Sequence, residues 1–408
     1  MRRQVERRIR TSIALLFVGT ILWVGLPWQR LLGTREVRVS RILFQSGDAQ
    51  VSKLVVMDLF SGATKEIALL PLSLYEISDI TCSRTHGKMA FVGGTCGCPC
   101  LGVIDADGTG LVLPDACDKA PKRVWDIEGL GWSPDGSLLV FTRVLCDDDD
   151  RVVTCQVCLY RLAMNEARVV LTVDGDYDKN SDRWPHAVWS PDGSELLFAI
   201  KDACGLGVLR ILSIDTSAVR EIPTGVRYGR DAFWSPDGAT IVFTGRVSHG
   251  RGKPRGDVFL VGRDGLDLRN VTDSEYDDDV GGWLRDGRIV LLSTRPGFED
   301  LLTRERSEPS SPGRGQKLFV MNADGAACDL VAVPSADNTI VLGEGSWSSD
   351  GNWVLFYEFV GTRGAIGPLT ACSCVEVGKR QKIDITSQLR KHSWNSLPVW
   401  FDWRGKDR

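Results

Sequence analysis

Apolar and polar positions alternate along this chain over a short period. Runs of apolar residues at 42–44, 89–92, 138–141, 196–200, 241–243, 289–292 and 353–357 are separated by clusters of Gly, Pro, Asp and Ser. That is the pattern of strands closed by turns, not of amphipathic helices. Five of the seven runs follow one phrase, Trp-Ser-Pro-Asp-Gly. It stands intact around Trp132, Asp135 and Gly136, around Trp189, Asp192 and Gly193, and around Trp234, Asp237 and Gly238. It returns altered around Trp283, Asp286 and Gly287 and around Trp347, Asp350 and Gly351. Pro presets the first corner of a tight turn, Asp tolerates the second, and Gly supplies a backbone conformation closed to other residues. The Trp before each corner offers a large apolar face for burial between neighbouring sheets.

Successive copies lie 57, 45, 49 and 64 residues apart, so one supersecondary unit is repeated. Each unit reads as corner, apolar strand, loop, apolar strand, turn and polar strand, with third strands at 158–162, 209–214, 258–261 and 318–321. Asp-Gly turns follow at 107–108, 264–265 and 324–325. The fold class expected is all-β: a seven-bladed β-propeller of four-stranded antiparallel blades, with six blades as the alternative. The opening unit lacks a first strand, and residues 397–400 form an orphan one. Pairing the tail with 42–44 would complete that sheet and leave no long open edge.

Charge and the N-terminus place this body. The formal net charge is −4, yet residues 1–10 hold five arginines against one glutamate, so the remainder is acidic. An acidic body lacks the electrostatic footprint of a nucleic-acid binder. Residues 11–28 carry no charge and as a helix would span ~27 Å, enough for a thin hydrocarbon core. The expected layout is therefore a basic cytoplasmic segment (1–10), a single-pass transmembrane signal anchor (11–28), a linker (29–35) and a propeller domain (36–408) outside the cytoplasm. A cleaved signal peptide is the competing expectation, although no small-x-small site follows the apolar run.

The Trp-Ser-Pro-Asp-Gly corner, the apolar strand after it, the third strand ending in Asp-x-Asp-Gly and the Pro-x-Trp lead-in together resemble the TolB-like, WD40-like β-propeller family over residues 36–403. The repeats are expected to stand without the α/β domain or the hydrolase domain with a Gly-x-Ser-x-Gly elbow that accompany some propellers of this kind. The resemblance implies a bare propeller, whose relatives mostly bind proteins or other ligands. The function expected is a non-catalytic binding module with a protein or glycan partner in the cell envelope. A propeller-type polysaccharide lyase or hydrolase, and a structural scaffold of an envelope complex, are the alternatives. Lyases of pectin fragments use similar repeats with histidine-bound metal, so three of His86, His186, His249 and His392 would have to converge.

Corners and Asp-Gly turns are short, whereas the connections at the other end of each blade are long, and long loops on a rigid scaffold commonly carry binding. Several are acidic: Asp147, Asp148, Asp149 and Asp150, then Asp277, Asp278 and Asp279. They are expected to form a negative rim that attracts a basic partner or a cation. Asp174, Asp176 and Asp178 have the alternating oxygens of a calcium loop, but Lys179 and Pro185 stand where its glycine and closing glutamate belong. Twelve cysteines in an exported body suggest disulfides. Candidates are Cys96, Cys98, Cys100 and Cys117, then Cys146 with Cys155 or Cys158, and Cys328 with Cys372 or Cys374.

Overall fold

Strands dominate the computed structural model, which describes residues 41–400 apart from 48–51, 60, 71–76, 84, 96–97, 115–122, 148–151, 178–185, 202–203, 249–253, 297–314, 335–337, 343–352, 363–364, 378–380 and 392–398. The basic segment, anchor and linker fall on residues 1–40, outside the described residues. Among the described residues no helix is long and apolar enough to cross a membrane.

The first sheet holds β1 (Arg41–Gly47), β2 (Ser52–Asp58) and β3 (Thr64–Leu70). Its fourth strand is the chain's tail: Ile42 pairs with Trp400 and Leu43 with Val399. This is the pairing expected from the orphan tail strand, and it gives a sheet whose head and tail are sealed together. The second sheet has three strands, β4 (Ile77–Cys82), β5 (Lys88–Thr95) and β6 (Cys98–Asp105). Its expected fourth strand is reduced to an isolated bridge, Val103 to Val112. The third holds β7 (Arg123–Trp132), β8 (Leu138–Cys146), β9 (Val152–Arg161) and β10 (Glu166–Tyr177).

The next strands are β11 (Val188–Trp189), β12 (Glu195–Lys201), β13 (Leu206–Ser213), β14 (Val219–Trp234), β15 (Thr240–Val247), β16 (Arg255–Gly262) and β17 (Arg269–Asn270). They form one seven-stranded sheet. Two four-stranded sheets follow: β18 (Asp278–Trp283), β19 (Ile289–Ser293), β20 (Lys317–Met321) and β21 (Cys328–Ala332), then β22 (Asn338–Val341), β23 (Trp353–Thr362), β24 (Ala365–Glu376) and β25 (Gln381–Asp384). A short helix, α1 (Thr386–Arg390), precedes the tail strand, β26 (Val399–Trp400).

The described strands thus make six hydrogen-bonded sheets in place of seven separate ones. The expected count fails at β14, which pairs with β13 through its first half and with β15 through its second, handing over at Arg227. No turn interrupts it, so two expected blades share a strand.

The chain divides into two compact units: Met1–Trp184 with Gly343–Leu355 and Ile385–Arg408, and Pro185–Leu342 with Phe356–Asp384. In the first, Trp132 packs with Val92, Leu101 and Val103 of the second sheet and with Ile127 and Phe141 of its own. In the second, Trp234 packs with Leu197, Leu209 and Ile211 across the seven-stranded sheet. Burial of such a ring removes enough apolar surface that truncation to Ala costs about 3–5 kcal/mol. The corner Trp therefore acts as expected, as the filler between adjoining strand sets.

The corners also use their serine. Ser133 Oγ donates to Asp135 Oδ1 (2.5 Å) and accepts the Leu138 N–H (3.0 Å), while Ser137 N–H donates to Asp135 Oδ1 (3.1 Å). Ser190 with Asp192 and Ser235 with Asp237 repeat this geometry. Gly136 has φ +75°, and a Cβ there would come within 2.6 Å of Thr85, Ser83 and His86 side-chain atoms. Only glycine lets the two corners meet this closely. The copy at Trp347, Asp350 and Gly351 lies outside the described residues.

Candidate functional site

At the end of each sheet opposite the corners, the structure places acid in two contrasting settings, one in each unit. In the first unit the second and third sheets adjoin, and their first strands β4 and β7 carry Asp79, Asp126 and Glu128. Asp79 is buried and its Oδ2 accepts the Leu130 N–H (3.2 Å). Asp126 stands opposite Val144 of β8, after a bulge that lets its own carboxylate take the Ile127 N–H (2.8 Å). Burial pushes Asp126 well above the usual carboxylate range; the nearby charges of Glu128 and Asp79 push the same way, against the Ile127 hydrogen bond. Behind it, Arg143 Nε donates to Gln156 Oε1 (2.7 Å), with both side chains buried. Cys155, opposite Val144, has its thiol pushed up to about 12 by burial and by Glu128. This strand cluster was not singled out from sequence. The available signal was charge inside strand-forming runs, at Asp79 and at Asp126 and Glu128, where no turn needs it.

In the second unit, Asp277, Asp278 and Asp279 open β18. They are not an exposed negative rim: Asp277 and Asp278 are buried, and each of the three carboxylates meets an arginine. Arg246 donates to Asp277 Oδ1 (2.5 Å) and to Asp279 Oδ1 (3.3 Å), and Arg295 Nη2 donates to Asp278 Oδ2 (2.8 Å). Ser293 Oγ adds a bond to Asp278 Oδ1 (2.5 Å), and the Arg295 guanidinium lies over the Tyr276 ring (6.0 Å). Burial and Asp279 raise Asp277, while Arg246 and the Gly256 N–H oppose them.

Asp147 is half-buried at the end of β8, and Asp148, Asp149 and Asp150 lie outside the described residues. The calcium segment is a strand, not a loop: Asp174 and Asp176 belong to β10, with Asp174 paired to Thr154, and Asp178 lies outside the described residues. Among the described residues no three His, Cys, Asp or Glu side chains gather as metal ligands. His86 sits at a corner beside Thr85 (3.1 Å) and His186 is half-buried ahead of β11; His249 and His392 lie outside the described residues.

The expected disulfides are corrected. Cys82, Cys100, Cys146, Cys155, Cys158, Cys204, Cys328, Cys372 and Cys374 stand as thiols. Register explains the first group, because Cys146 faces Val152 whereas Cys155 faces Val144 and Cys158 faces Phe141. Cys328 pairs with Met321 on its own sheet, and Cys372 and Cys374 are buried in β24 with thiols raised by burial, Cys374 to about 12. Cys96 and Cys117 lie outside the described residues, and Cys98 lies in β6.

One cavity of about 910 Å³ lies at the corner end of the seven-stranded sheet, against Arg220, Arg263 and Arg269. Its arginines are engaged: Arg263 donates to Glu195 (3.0 Å) and Asp192 (3.2 Å) and lies over Trp234 (5.4 Å). This is a fastening between corners.

No family model matches the chain, and no curated protein matches it. Solved structures do. The β-propeller domain of the trilobed protease from Pyrococcus furiosus is 12% identical, with 90% of this chain and 96% of that one covered at a TM-score of 0.52. The fold is a β-propeller. An oligogalacturonate lyase solved with manganese is similar over 85% of each chain at 14% identity and a TM-score of 0.50. TolB from Acinetobacter baumannii is also among the similar structures, at 15% identity, covering 84% of this chain and 77% of that one, with a TM-score of 0.46.

Proposed function

We propose that this propeller is a non-catalytic binding module of the cell envelope, which receives a basic group of a protein or glycan partner at the loop end of its second and third sheets. The observation that carries the proposal is the placement of three acids at one place: Asp126 and Glu128 stand two residues apart on β7, and Asp79 reaches β7 from the adjoining β4, its Oδ2 accepting the Leu130 N–H (3.2 Å). A cationic side chain entering there would offset the repulsion that raises Asp126, and that favours binding of a basic group. The proposal includes residues 11–28 as an uncleaved single-pass anchor, with the propeller outside the cytoplasm.

A second reading has its own support. A carboxyl kept protonated by burial and like charges is the equipment of a general acid, which suits a polysaccharide lyase or hydrolase. One experiment separates the two. Full-length chain in its own membranes is cross-linked to envelope components, beside a double variant Asp126→Asn, Glu128→Gln, and both are assayed on acidic oligosaccharides. A partner captured by the wild type and lost in the double variant, without turnover, supports binding. Oligosaccharide cleavage by the wild type that is abolished in the double variant replaces it with the enzyme.

A further inference from the structure

In the second unit the acidic opening of β18 touches the stems of two long connections, β15 to β16 and β19 to β20. Asp279 divides its oxygens between them. Oδ1 accepts from Arg246 (3.3 Å), at the end of β15, and Oδ2 accepts from Gln316 Nε2 (3.0 Å), just before β20. Asp277 Oδ1 holds both stems of the first connection, taking Arg246 (2.5 Å) and the Gly256 N–H (2.7 Å). Through its backbone Asp277 also holds the second: its N–H donates to Thr294 Oγ1 (3.0 Å) and its carbonyl accepts the Thr294 N–H (3.2 Å). A Cβ at Gly256 would lie 2.6 Å from Asp278 O and 3.0 Å from Asp279 Oδ1, so this stem is seated as closely as a backbone can be.

We propose that the Asp279 carboxylate couples the two connections, so that loosening either stem loosens the other. The reasoning is electrostatic. Arg246 and Gln316 are both largely withdrawn from water, and a buried hydrogen-bonding group that loses its partner carries a desolvation penalty. If Gln316 leaves Oδ2, the remaining Asp279–Arg246 contact must accommodate a carboxylate whose Oδ2 has lost its donor. The penalty therefore reaches Arg246 and the Gly256 stem. Coupling of this kind holds for any ligand on either connection and does not rest on the function proposed above.

Hydrogen exchange on the full chain tests it, read at 244–247 and 255–258 for the first connection and at 293–296 and 316–318 for the second. Gln316→Leu, which changes only the second connection, is expected to speed exchange at the first by about tenfold. Asp279→Ala is expected to speed both. Acceleration confined to 316–318 in Gln316→Leu, or to one connection in Asp279→Ala, overturns the proposal. Should Asp279→Ala not fold, Gln316→Leu decides alone.

Discussion

Strands β7 and β18 open their sheets at the same end and both bring acid there, yet they treat it in opposite ways. On β18 each carboxylate has an arginine, two of the three are buried, and the cluster works as a fastening. On β7, the groups that raise Asp126 after burial itself are two further carboxylates, Glu128 and Asp79. The residue type and position in the repeat are alike; what the neighbouring strands bring decides the role, arginines to Asp277, Asp278 and Asp279 and the Asp79 carboxylate to Asp126. A run of aspartates is therefore no guide to a binding rim until its partners are known.

The contrast breaks most sharply when its cations are removed. Arg295→Ala should leave the wholly buried Asp278 without its ion partner and lower stability by about 3–5 kcal/mol in urea unfolding. Asp126→Asn should do the reverse, holding or raising stability at neutral pH by on the order of 1 kcal/mol. The sign follows from the raised folded-state pKa: stability from this group is present below the unfolded value and is lost as pH rises through the folded one. A pH series of urea midpoints on wild type and variant should show that decline in the wild type and its absence in Asp126→Asn.

The corners supply a third kind of carboxylate, with the opposite sign. Asp237 is held below the usual range by the Ser235 hydroxyl and the Ala239 N–H, so its contribution is present above the ordinary carboxylate range and lost as pH falls through its folded value. Ser235→Ala should cost about 1 kcal/mol and move the acid limb of the stability profile upward, measured by thermal melts from acidic to neutral pH. The copy that naturally has Leu284 in the serine's place keeps its Asp286 by pairing it with Arg288 (2.8 Å).

What the sequence disclosed depended on how local each signal was. Turn chemistry is local, so the corners, their Trp packing and the tail strand Val399–Trp400 were legible from residues a few positions apart. The serine's pair of hydrogen bonds was not, because one of them comes from an N–H five residues on. Asp277 to Asp279 read as part of a negative rim because their arginines come from 31 and 17 residues away. Asp126 was overlooked because what raises it is first its burial, which packing between sheets sets, and then Glu128 on its own strand and Asp79 on β4 of another sheet. The cysteines misled because their number says nothing about register, and Cys146 and Cys155 do not face each other.

Direct titration of the Asp126 carboxyl in the full chain, by carbon-13 NMR with Asp126→Asn to assign the resonance, tests the central claim. The account predicts a midpoint well above the ordinary carboxylate range, falling when a hexa-arginine peptide is added. A midpoint within the ordinary range, unmoved by the peptide, would contradict it.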